Sequence, residues 1–180
     1  FKVKKGRKVL YVKDERALSQ YILEQQATSL VVTPEGGNDP LTGARLLELL
    51  DRIEAYKQML MRLDRRIASE VLEAFLLRAP GTILFQERAA LEELVQPVRE
   101  ILSRTHPGLK VTSVEVVPQG DMWQFVVSTE EAGHRRCSAI DAPTFHSERM
   151  RELRRLQADV LAFGGPTFEL GAADETIRFE

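Results

Sequence analysis

The sequence has a single cysteine, Cys137, a single tryptophan, Trp123, and only three histidines, His106, His134 and His146. One thiol cannot close an internal disulfide, so the fold must rest on its apolar core, and the composition fits a reducing compartment. The chain has no apolar run as long as a membrane-crossing helix needs and no basic-then-apolar leader, so a cytoplasmic chain without a membrane partner is expected. A basic surplus is lacking too: 25 Lys and Arg face 27 Asp and Glu, for a formal net charge of -2. Contact with a polyanion must therefore come from a local patch. There is no internal repeat and no low-complexity tract. At 180 residues the chain can bury a sizeable core as one domain, or as one domain with a protruding element. It opens at Phe1 rather than at a methionine, and reads as a piece of something longer.

What is present is organised around residues 46–67. Leu46, Leu49, Ile53, Tyr56, Leu60, Leu63 and Ile67 recur at alternating spacings of three and four, the a/d seam of a sustained heptad. A helix of that length, about 30 Å at 1.5 Å per residue, offers an apolar stripe for the other elements. Arg45, Glu48, Asp51, Arg52, Glu54 and Lys57 lie between the seam positions and make the opposite face wet. Thr42 is placed as its N-cap, and Arg62, Arg65 and Arg66 crowd its last turn, where cations complement the helix dipole.

Before this helix, the alternation in residues 1–5, Gly6, and the apolar residues 9–12 predict a hairpin. Asp14 is an N-cap for a short helix bearing Ala17, Leu18, Tyr21 and Ile22. Residues 30–33 form a β-rich run ended by Pro34, and Gly36, Gly37 and Asn38 mark a loop. After it, Val71, Leu72, Phe75 and Leu76 share the face of a third helix ending at Pro80 and Gly81, able to pair with the long helix as a helical hairpin. A fourth helix spans 87–104, with a kink expected at Pro97. From Lys110 the period falls from 3.6 to 2, and residues 111–117, 123–129 and 135–140 read as an antiparallel meander with Trp123, Phe125 and Val127 turned toward the helices. Ser147 caps a helix with Met150, Leu153, Leu156, Val160 and Leu161, and residues 167–170 and 176–179 close the chain as a hairpin. The fold class is α+β: a long central helix and three to four further helices packed on a small three-stranded antiparallel sheet, plus terminal hairpins.

No catalytic constellation emerges. His134 and Cys137 have a ligand-like spacing, but two ligands do not make a zinc site and no second pair lies nearby. Ser138, Asp141 and His146 are close in sequence, yet no nucleophile elbow frames the serine. Glu130 and Glu131 read as a solvated turn, and Gly36 and Gly37 lack the rest of a phosphate loop. Two basic clusters remain. The first is Lys2, Lys4, Lys5, Arg7, Lys8 and Lys13, interleaved with Phe1 and Tyr11. The second is Arg62, Arg65 and Arg66, with Arg135 and Arg136 as possible additions. Such side chains supply salt-sensitive affinity for a phosphate backbone. Alternatively, edge-strand lysines discourage strand pairing and arginines at a helix end cap it.

The run FKVKKGRKVLYVKDE at residues 1–15 resembles the segment of the DNA gyrase B subunit that follows the metal-binding part of its TOPRIM domain. Residues 41–66, ending in Leu63, Asp64, Arg65 and Arg66, are similar to the long helix and double arginine of the insertion that interrupts TOPRIM in the longer gyrase B subunits. Residues 147–168 resemble the insertion's exit. The resemblance implies that residues 1–13 edge the TOPRIM domain. Residues 14–180 are then the insertion, with a helical part at 14–105, a sheet at 110–140, and an exit helix and hairpin at 147–180. It further implies a parent ATP-hydrolysing topoisomerase, an isomerase that supercoils DNA. Its partners would be DNA, the gyrase A subunit and the rest of the B subunit, in a heterotetramer of two A and two B subunits. The parent's ATP and magnesium sites would lie outside this fragment, leaving no catalytic residue, metal ligand or cofactor within it. The insertion would contribute DNA binding through Lys2, Lys4, Lys5, Arg7, Lys8, Arg62, Arg65 and Arg66, and interdomain coupling. A structural brace, or a helical module binding a partner through the seam, would involve no DNA contact. The B subunit of topoisomerase IV shares the opening motif but generally lacks so long an insertion.

Overall fold

In a computed structural model the heptad residues form the expected helix, α1 (Gly43–Leu63). The structure describes residues 2–5, 8–11, 13, 30–34, 39–79, 85–164, 168–172 and 175–179. The expected short helix at Ala17 to Ile22, the loop at Gly36 and Gly37, and Arg7 lie outside them. Two compact units are formed, one of Phe1–Ile53 with Asp159–Glu180 and one of Glu54–Ala158. The first half of α1 belongs to the former and its second half to the latter.

In the first unit, β1 (Lys2–Lys5) and β2 (Lys8–Tyr11) pair as the predicted antiparallel hairpin. A separate antiparallel sheet has the order β3 (Val31–Pro34), β7 (Phe168–Ala172), β8 (Glu175–Phe179). Its β7–β8 hairpin follows from sequence. The pairing of β3 with β7, which sets Val32 opposite Leu170, does not. Val32 also exchanges both backbone hydrogen bonds with Leu41, at 3.0 and 2.7 Å, just ahead of α1. The carbonyl of Thr42 accepts the Leu46 amide, as an N-cap carbonyl should. Val32, Leu41, Leu46 and Leu49 form the core of this unit, joined by Ile53, Val160 and Phe163.

The second unit packs helices on a meander. It contains α2 (Ser69–Arg78), α3 (Arg88–Thr105), β4 (Lys110–Gln119), β5 (Met122–Glu131), β6 (His134–Ile140), α4 (Ala142–Phe145) and most of α5 (Glu148–Leu161). The strands are ordered β4-β5-β6 and antiparallel throughout. Both connecting loops are two residues long and carry positive φ as tight hairpins demand. Gly120 (φ +61) takes the first loop position after β4, and Ala132 (φ +47) precedes Gly133 (φ +82) after β5. Phe125 and Val127 turn inward as expected: the Phe125 ring lies 5.1 Å from that of Phe75 on α2. Phe75 also meets Phe145 edge-on, and Phe145 in turn packs at a tilt against Phe85.

Expectations about the end of the long helix and about its helical partner change. The long helix stops at Leu63, four residues short of Ile67, because the amides of Arg66 and Ile67 both return to the Leu63 carbonyl and close a turn. Only Arg62 is therefore in its last turn, and Arg65 and Arg66 follow it. The close helix pair is α2 with α3, rather than α1 with α2. The seam itself is buried, as the sustained apolar stripe predicts: Leu46, Leu49, Tyr56, Leu60, Leu63 and Ile67 are each at most 8 % exposed within the single chain, which leaves no free stripe for an outside partner. Helix α3 includes Pro97 within its span.

Candidate nucleic-acid interface

Of the first basic cluster, Lys2, Lys4, Lys5 and Lys8 lie on the β1–β2 ribbon. Lys5 and Lys8 are directly opposed in register, while Lys2 and Lys4 stand opposite Tyr11 and Val9.

The second cluster is built by tertiary contacts. Arg62, Arg65 and Arg66 are all exposed around the turn that leaves α1. Within that turn, Asp64 Oδ1 accepts the Ser69 amide at 2.9 Å, taking one of the N–H groups that the first turn of α2 cannot satisfy internally. Arg136, on β6, brings Nη1 to 3.2 Å from both Asp64 carboxylate oxygens. Beside it, the fully buried Ser138 accepts the Ala68 amide on its Oγ at 2.9 Å. The turn is thus tied to β6 at two points, and the Asp64 charge is compensated by Arg136. Burial works to raise the Asp64 carboxyl, but the Ser69 and Arg136 hydrogen bonds outweigh it and hold the group below the ordinary carboxylate value. Arg135, next along β6, reaches Glu130 at 3.3 Å with its side chain 84 % exposed. The arrangement is a display of exposed arginines around one acid whose charge Arg136 compensates.

The remaining sequence candidates have structural roles. Ser138 holds Ala68, whereas Asp141 caps α4 by accepting the Thr144 amide at 2.8 Å and also accepts from Gln119. The His146 ring lies edge-on to Phe145 and Phe85. No triad forms. His134 and Cys137, three apart on one strand, belong to opposite faces and cannot share an ion. Among the described residues no group of three or more His, Cys, Asp or Glu could hold a metal ion.

Two features escaped sequence reading. One is Asp64 as anchor, which no local signal reveals because its partner is 72 residues away. The other is α5, where Arg149 and Arg151 are exposed, Arg155 grips Glu152 at 2.8 Å, and the Arg154 guanidinium lies 4.3 Å from the Phe145 ring centroid. The run ERMRELRR at 148–155 was a visible signal for it.

Residues 30–163 match the family described as the DNA gyrase B subunit insert domain. The chain belongs to that family. It is also 35 % identical over 74 residues to the DNA gyrase B subunit of Myxococcus xanthus, a stretch covering 41 % of this chain and 9 % of that protein. The chain therefore spans a small part of that relative's length. The insert-domain span contains α1 to α5, the meander and the whole arginine display, whereas the β1–β2 lysines precede it. Among the described residues no helix is long and apolar enough to cross a membrane.

Proposed function

We propose that this insert domain serves the B subunit of a DNA gyrase, an ATP-dependent type II topoisomerase that negatively supercoils DNA in the cytoplasm, as a non-catalytic module that contacts DNA and couples neighbouring domains. The parent would bind ATP and magnesium in other parts of the polypeptide. It would work with the gyrase A subunit, in an assembly of two A and two B subunits. The observation that carries the DNA contact is the exposed Arg62, Arg65 and Arg66 turn, tied to β6 through Asp64 and Ser138. Guanidinium groups meet phosphates through charge-assisted, often bidentate hydrogen bonds, and each phosphate neutralised releases counterions. With a net charge of -2, affinity must come from such a local surface.

The test is the salt dependence of duplex binding by the full chain. Changing Arg62, Arg65 and Arg66 together to Gln should flatten the log-log salt slope by ~2.7, at about 0.9 per phosphate. If the slope flattens only on changing Lys4, Lys5 and Lys8, the contact lies on the β1–β2 ribbon. A brace without DNA contact is the second reading, favoured by the two ties between the turn and β6, and it requires that no variant alters binding. In either case the chain alone should neither hydrolyse ATP nor cleave DNA with magnesium.

A further inference from the structure

An open groove of about 400 Å³ runs between α3 and β4, lined by Arg88, Glu92 and Val95 on one side and by Val114, Glu115, Val116 and Val117 on the other. The β4 side is informative because its four residues are consecutive. Val114 and Val116 stand opposite the buried Val127 and Phe125, on the core face of the sheet, while Glu115 and Val117 stand opposite Val126 and Gln124, on the other face. A cavity lying over one face of a strand meets only alternate residues. One that meets both sets lies along the backbone edge. β4 is an outer strand of its sheet, so that edge pairs with no other described strand.

The ends of β4 carry the devices that blunt an exposed edge: Lys110 at its start, a register shift between Val111 and Ser113, and Pro118 near its end. Residues 114–117 between them carry neither bulge nor proline, and the groove opens there. Its floor is apolar at Val95, Val114 and Val116. Its rim is negative on balance. Arg88 and Glu92 neutralise each other at 2.7 Å, while Glu115 is exposed and has no ion-pair partner among the described residues.

We propose that β4 accepts an added β-strand in this groove: a short extended peptide from a partner protein, with apolar side chains toward α3 alternating with basic side chains toward Glu115. Main-chain hydrogen bonds to the β4 edge would supply affinity, and the alternating pockets would supply specificity. Strand addition at this edge makes no use of the arginine display and is independent of DNA contact.

The Arg88 guanidinium lies 5.2 Å from the ring centroid of Trp123, the only tryptophan, so filling the groove should change its fluorescence. The probe is the peptide acetyl-Lys-Val-Lys-Val-Lys-amide, titrated into the full chain. We expect a saturable change in Trp123 emission that vanishes when every peptide amide is N-methylated, which keeps the charge but removes strand pairing. Glu115→Lys, an exposed substitution that leaves the core intact, should weaken binding about fivefold by reversing one rim charge. The proposal fails if no saturable change appears up to about 1 mM peptide, or if the N-methylated peptide binds equally well. It also fails if sedimentation shows that a second copy of the chain occupies the edge and excludes the peptide.

Discussion

Arg136 places Nη1 3.2 Å from both carboxylate oxygens of Asp64, joining edge strand β6 to the turn that follows the long helix. The same carboxylate receives the Ser69 amide, so one side chain stops α1, starts α2 and anchors both to the sheet. Arg65 and Arg66 follow it directly in sequence and are exposed, so their placement depends on this anchor. Both partners are about two-fifths exposed, with side chains at 39 % and 41 %, which limits what the ion pair contributes in water.

Removing the Asp64 charge should therefore cost modest stability with a defined pH dependence. A carboxyl whose folded pKa is depressed contributes stability that is present above the unfolded value, about 3.9, and is lost as pH falls through the lower folded value. Asp64→Asn should destabilise the chain by about 1 kcal/mol near neutral pH, allowing for the partial exposure of the pair. In urea titrations the wild-type and variant midpoints should converge as pH falls below the ordinary carboxylate range. Asp141, held down against burial by the Thr144 and Gln119 hydrogen bonds, should contribute to the same acid loss. A gap that persists unchanged in acid would show that the carboxylate charge is not its source.

Glu73 behaves in the opposite sense. Burial chiefly, and the charge of Glu70, push its carboxyl above the ordinary value, against the pull of His106 and Lys57. The neighbouring Tyr56 phenol is raised by its own burial and by Glu73. For an acid whose folded pKa is raised, stability falls as pH climbs from the unfolded value, about 4.3, through the folded one. Glu73→Gln should thus stabilise the chain at neutral pH by no more than ~1 kcal/mol once solvent screening is allowed for. It should give no gain near pH 3. Thermal unfolding at the two pH values checks the sign.

The loop between β5 and β6 holds a correctable strain. Ala132 sits at φ +47, where a Cβ crowds the backbone, and no other described non-glycine residue has positive φ. Asn tolerates this region and favours the two-residue turn, so Ala132→Asn should raise stability by roughly 0.5–1 kcal/mol. Ala132→Val should lower it. Circular-dichroism melts of the two variants would separate strain relief from any general effect of substitution at this exposed site.

Sequence by itself determined the elements whose signals are local. The heptad from Leu46 to Leu63 required a helix because only that conformation gathers residues three and four apart on one face. The alternation of Trp123, Phe125 and Val127 required a strand with an inward side, and the Ser147 Oγ accepts the Met150 amide at 3.3 Å as an N-cap should. The basic residues of the second cluster were legible too. Asp141 with Pro143 behind it was a readable start for α4 that went unread.

Tertiary structure alone decided where these elements meet. The sequence carries no mark that β3 pairs with β7, nor that Asp64 finds Arg136, because strand pairing and long-range ion pairs depend on register and approach rather than on neighbouring residues. The helix end shows how the two levels compete. The apolar period continues to Ile67, but Asp64 engages Ser69 and Arg136 instead of continuing the helix, and Ile67 is buried from within a turn. Periodicity thus fixed that Ile67 is buried, and long-range contacts to β6 fixed the backbone that buries it.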